Sequence, residues 1–208
     1  MINDLSKCAS VAFAMLATSA QAAPLPNYDI SLLEVGTVFG WQTDRGPQSM
    51  TYLGPDDGLF RIHLSFPTAQ GITLEIEGWQ TQSGQAKRAV LGDRTMEMSP
   101  HGCGNSVGHC EYSIIYSTLN NVEIEYFGRY FGDGIMVETR SASNPEFTGF
   151  VKKLCAIYDK FGISIVTYAI GADGNAIWER RINSTFEPDI ESMMSRVEAR
   201  CNEEGLVS

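Results

Sequence analysis

Several things are missing from this chain, and each absence removes a class of function. Past its N-terminal stretch it has no apolar run long enough to cross a bilayer as a helix, which takes about 20 residues, so no transmembrane segment is expected in the mature chain. It has no cluster of lysine or arginine. Fifteen basic residues stand against 25 acidic ones, for a formal charge of −10. Nucleic acid and anionic membrane surfaces are held through basic patches, so neither is an expected partner. No G-x-S-x-G, H-E-x-x-H, G-x-x-x-x-G-K or G-x-G-x-x-G sequence occurs, which takes away the commonest hydrolase, zinc-protease and nucleotide-binding signatures. Histidine occurs only three times, and the five cysteines include no CxxC pair, so a thioredoxin-like redox role is not expected.

What is present begins with a leader. MINDLSKCASVAFAMLATSAQAAP joins a polar head carrying Lys7 to an apolar run from Cys8 to Ala17 and then to Ala20-Gln21-Ala22. That order of charge, short apolar middle and small-x-small end is the pattern of a secretory signal cleaved after residue 22. The expectation is a periplasmic or secreted protein, with residues 23–208 forming one β-rich domain, a length that one core can serve. Removing Lys7 together with Asp4 leaves the formal charge unchanged.

From about Val35 to Ile182 the sequence consists of short β-rich runs such as LFRIHLSF, GITLEIEGW, NVEIEYFGRYF and ISIVTYAI. They are separated by compact turn sequences, among them GPDDG, TQSG, GDG and GADGN. Connections this short join adjacent antiparallel strands and leave no room for crossover helices. The predicted fold is an all-β antiparallel meander, barrel-like because an open sheet of so many strands would expose two long edges, with a sandwich as the alternative. Ile163, Ile165, Val166, Tyr168 and Ile170 would put apolar groups on both faces of one strand, so its outer face should be covered. The tail supplies a cover. After Pro188, residues Ile190, Met193, Met194, Val197 and Cys201 form one apolar stripe at helical spacing, which predicts a C-terminal helix over about 188–202 packed on the sheet.

Cleavage would remove Cys8 and leave Cys103, Cys110, Cys155 and Cys201, an even number that predicts disulfides in an exported chain. Cys155 shares a face with Val151 and Ile157 by the two-residue strand period, and Cys201 ends the helical stripe. Docking that helix on that face pairs Cys155 with Cys201 and leaves Cys103 for Cys110. The segment HGCGNSVGHC then reads as a stapled loop between strands. It admits a second reading. His101, Cys103, His109 and Cys110, with Met96 and Met98 just upstream, mix imidazole, thiolate and thioether in a combination that suits copper, or zinc on the two histidines and two cysteines.

Two echoing runs, LEIEGW and VEIEYF, each place a pair of glutamates on one strand face: Glu75 with Glu77, and Glu123 with Glu125. Facing inward they could act as an acid–base pair. Leu74, Ile76 and Ile124 on the alternate positions mark the buried side, so the glutamates are expected outside. The Asp-Gly turns lack the ligand offsets of a calcium loop. Trp41, Trp79, Trp178 and several tyrosines fall in strands, and some would line any cavity that the barrel leaves. The sequence therefore reads as an exported, non-catalytic binding domain for a small apolar ligand or a protein partner, with no organic cofactor; the alternative is a periplasmic copper- or zinc-handling protein. No catalytic residue and no particular ligand-binding residue stands out, and no feature sets the oligomeric state.

Overall fold

The computed structural model describes residues 26–67, 71–101, 109–116, 122–142, 151–171, 173–183 and 189–203. The expected signal segment lies outside them, as do residues 102–108 of the cysteine loop. Twelve strands follow one another: β1 (Val38–Thr43), β2 (Gly46–Asp56), β3 (Leu59–Pro67), β4 (Thr73–Gln80), β5 (Ala86–Leu91), β6 (Arg94–His101), β7 (His109–Tyr116), β8 (Val122–Tyr130), β9 (Ile135–Ala142), β10 (Lys153–Tyr158), β11 (Ser164–Ile170) and β12 (Ala176–Ile182). One helix, α1 (Ile190–Asn202), ends the described chain.

Each strand pairs antiparallel with the next, as the tight turns require. The GPDDG sequence shows how the turn residues set this up. Asp57 and Gly58 both have positive φ, at 49° and 77°, and form the two-residue link between β2 and β3. Two left-handed residues in a row give a turn whose twist matches that of the flanking strands. The meander then closes on itself. β1 pairs with β12 through Trp41 and Ile182, Gln42 and Arg181, and Thr43 and Arg180, which completes a closed barrel. All twelve strands belong to this one sheet, the barrel-like form of the expected fold.

Passing from partner to partner around the ring keeps one set of residues on the inner face. Trp41, Met50, Tyr52, Ile62, Ala89 and Tyr126 are among them, and all are buried. The opposite face of β3 to β5 is polar. There Arg61 meets Glu77 at 3.4 Å and His63 meets Glu75 at 3.0 Å, with both glutamates about half exposed.

The outer face of β9 to β11 is different, because α1 lies on it. Every residue of β11 is buried, and Val137, Cys155, Val166 and Tyr168 pack against Met194, Val197 and Cys201. Ile190 and Met193 complete the contact, so the whole predicted stripe faces the sheet. Cys155 and Cys201 stand at disulfide distance across this interface, with Cα atoms 5.6 Å apart. Val151 departs from expectation. It precedes β10, where strand alternation no longer holds, and it lines the barrel interior instead of sharing the face of Cys155.

Candidate functional site

The interior is closed at one end by an apolar cluster. Ile30, from a short 3-10 turn (Ile30–Leu32), packs there with Met50, Tyr52, Ile62 and Ile163. Two cavities open among the described residues of the interior. A cavity of about 260 Å³ is bounded by Trp41, Gln48, Leu64, Phe66, Trp178 and Arg180. Another, of about 360 Å³, is bounded by Glu138, Leu154, Tyr158, Thr167, Trp178 and Arg180, among others. Both volumes are near or within the range of small-molecule sites, about 300–1,000 Å³. Trp178 and Arg180 border both cavities.

The alternation of β12 produces this wall. In AIWERRI the even positions, Trp178, Arg180 and Ile182, turn inward, while Glu179 and Arg181 turn outward to pair with each other at 2.8 Å. The Arg180 guanidinium lies between two indoles, 4.8 Å from the Trp41 ring centre and 5.0 Å from that of Trp178. Such stacking stabilises a desolvated cation by about 0.5–2 kcal/mol. Its Nη2 donates to Ser164 Oγ. Its Nε is buried with no hydrogen-bond acceptor, and the Thr167 hydroxyl, on the residue opposite it in β11, also lacks a partner. Among the described residues no carboxylate lies within ion-pairing reach of Arg180. Burial pushes its pKa down to about 10, with the nearby Tyr158 opposing, so it is a cation at neutral pH.

The second inward arginine is satisfied. Arg140 gives both Nε, at 2.8 Å, and Nη2, at 2.7 Å, to one oxygen of Glu138, and stacks 4.9 Å from the Tyr126 ring centre. Tyr158 completes the polar group. Burial pushes its phenol up to about 12, Glu138 adding to the rise and the two arginines opposing it. It therefore stays protonated at neutral pH and is a donor in waiting. Two cations and one anion leave this part of the interior positive, inside a chain whose total charge is negative.

No protein-family model matches the chain, nor does any curated protein or any solved structure. The reading of the site rests on its own chemistry.

Of the residues singled out in the sequence for a site, Trp41 and Trp178 line the cavities, and the others fall outside them where they are described. His101 is the last residue of β6, and His109 and Cys110 open β7, so the HGCGNSVGHC segment is a hairpin connection. Register puts positions 101 and 109 on the outer face, and positions 96, 98 and 110 on the inner face. Cys103 lies outside the described residues, as do the side chains of His101, His109, Cys110 and Met98. Among the described residues no three His, Cys, Asp or Glu side chains gather as a metal site.

The paired glutamates look outward where they are described. Glu75 accepts from Ser65 and faces His63, Glu77 faces Arg61, and Glu125 accepts from Ser141 in solvent. The side chain of Glu123 lies outside the described residues. The Asp-Gly turns have protein partners too, Asp173 accepting from the Asn175 backbone and side chain, and Asp133 from Ile135 and from Arg200 of α1.

Arg180, Arg140, Glu138, Tyr158 and Thr167 were missed in the sequence. The signal was available in Trp178-x-Arg180-x-Ile182, an arginine between large apolar residues on one strand face. Hydropathy smooths it over, because Glu179 and Arg181 make the whole run look solvated.

Proposed function

We propose that this chain is an exported, non-catalytic binding domain that carries a small apolar ligand inside its barrel. The observation that carries the reading is the unfilled interior walled by Trp41, Leu64, Phe66 and Trp178. A barrel of twelve strands is wider than the eight whose side chains just fill the space within, so room for a guest follows from strand number. The charged outer face of β3 to β5 supports a barrel that stands in water with its apolar side inward, the reverse of a membrane barrel. The Cys155–Cys201 pair supports an oxidising compartment, periplasmic or extracellular. An acid–base role for the paired glutamates has no cavity to act in, since Glu75, Glu77 and Glu125 are in solvent.

The test uses the neutral dye N-phenyl-1-naphthylamine, which fluoresces when removed from water. Titration of the mature protein is expected to give saturable uptake of one dye per chain, with energy transfer from the tryptophans. Leu64→Trp, which fills the smaller cavity, is expected to weaken uptake about tenfold or more, equivalent to about 1.4 kcal/mol. Dye fluorescence no higher than with the unfolded chain would overturn the proposal.

A further inference from the structure

We infer that the ligand is an amphiphile with one anionic head group, a carboxylate by preference, which seats on Arg180 while its apolar body lies along Trp41, Leu64 and Phe66. The inference rests on the carrier reading and names the chemical class of its cargo.

Four observations converge on it. The Arg180 guanidinium lies against two indoles and donates to the Ser164 hydroxyl, and among the described residues no carboxylate pairs with it. Its Nε has no acceptor, although guanidinium donors present themselves as a planar fork that matches the two oxygens of a carboxylate. Glu138, the inward carboxylate bordering the larger cavity, already takes both near donors of Arg140 on one oxygen. Lastly, the other unpartnered polar atom of the wall, Thr167 Oγ1, belongs to the residue directly paired with Arg180 across β11 and β12.

Opposed residues in antiparallel strands have Cβ atoms about 5 Å apart. Arg180 and Thr167 also line one cavity, where a head group can accept from the guanidinium and from the hydroxyl. The protonated Tyr158 phenol borders the same cavity as a further donor. A partly desolvated cation without a counter-ion is costly, whereas the same cation meeting an anion forms a charge-assisted pair. The empty site thus favours an anion over a neutral or cationic head of equal apolar size.

The experiment is displacement of N-phenyl-1-naphthylamine at pH 8 by three probes of one chain length, dodecanoate, dodecanol and dodecylamine, each kept below its micelle concentration. Dodecanoate is expected to displace the dye at a concentration at least ten times lower than dodecanol, and dodecylamine to be the weakest. Arg180→Met is expected to abolish the difference between acid and alcohol, each measured against the variant's own dye affinity. Thr167→Val is expected to weaken dodecanoate severalfold relative to dodecanol, and it serves as the second variant should Arg180→Met fail to fold. Equal displacement by acid and alcohol from the wild-type protein would overturn the inference and leave the carrier reading standing. Absence of dye uptake by the wild-type protein would overturn both.

Discussion

Arg180 holds a charge against two indoles inside the barrel, and that placement has a measurable consequence. Replacing a buried charge by an apolar side chain of similar volume is often neutral or stabilising by about 1–4 kcal/mol, because no desolvated ion remains. Arg180→Met is therefore expected to leave the ligand-free protein as stable as the wild type or more so, by up to about 3 kcal/mol in urea denaturation. A loss of stability would show that the two indoles and Ser164 compensate the charge fully. Tyr158 gives a second prediction. Its folded pKa is raised above the ordinary value of 10, so the folded state holds its proton more tightly than the unfolded state. That contribution is fully present below pH 10 and declines as pH rises towards about 12. In a titration followed at 295 nm, Tyr158→Phe is expected to remove a phenol that ionises well above the ordinary range and to flatten the alkaline fall in stability. At this scale the sequence was hardest to read. Arg180 and Arg181 are adjacent and chemically identical, and only the strand register decides that one enters a cavity while the other meets Glu179 and Glu191 outside.

Among the elements, α1 and β11 were the most legible, because their patterns depend on each other. A strand apolar on both faces needs a cover, and a helix with a single apolar stripe needs a surface. Each identified the other before any coordinate did. The cysteine pair across them belongs to the same logic, since a residue at the end of the stripe and one on the covered face must approach when the helix docks. The interface is apolar and tight, so truncation should be felt. Met194→Ala is expected to cost about 2–4 kcal/mol, the range for removing most of a buried side chain from a packed site. Cys155→Ala with Cys201→Ala removes a link closing a 46-residue separation and is expected to cost about 2–4 kcal/mol as well. Amide exchange should show the helix opening more readily than the sheet beneath it. By contrast, the HGCGNSVGHC segment looked the most chemical in the sequence. Its density of ligating residues says nothing of the faces on which they fall, and pairing of β6 with β7 and β7 with β8 separates positions 101 and 109 from 96, 98 and 110.

For the whole molecule, the balance of charge and the alternation of the strands already pointed to an apolar interior within a charged coat. Glu75, Glu77 and Glu125 sit in that coat, as Leu74, Ile76 and Ile124 on the alternate positions suggested. Their energetic contribution should be small. Exposed ion pairs contribute about 0.2–1 kcal/mol, so Glu75→Gln and Glu77→Gln are each expected to shift stability by less than about 1 kcal/mol and to leave dye uptake unchanged. Closure of the ring was a less direct reading. Turn sequences specify neighbours along the chain, but no local signal links Trp41 to Ile182. The argument for closure came from the cost of two bare edges, and the seam that removes those edges is only three residue pairs long.

That seam brings the beginning of the sheet to its end, and the arginine box stands beside it. Trp41 comes from the first strand and Trp178 and Arg180 from the last, so the pocket exists only when both have arrived. A ribosome or a translocation channel delivers the first strand long before the twelfth. During that interval the chain can form hairpins but has nowhere to put a guest. The pocket is thus complete only when synthesis is, and a product stopped before β12 should lack it, however well its earlier strands have paired.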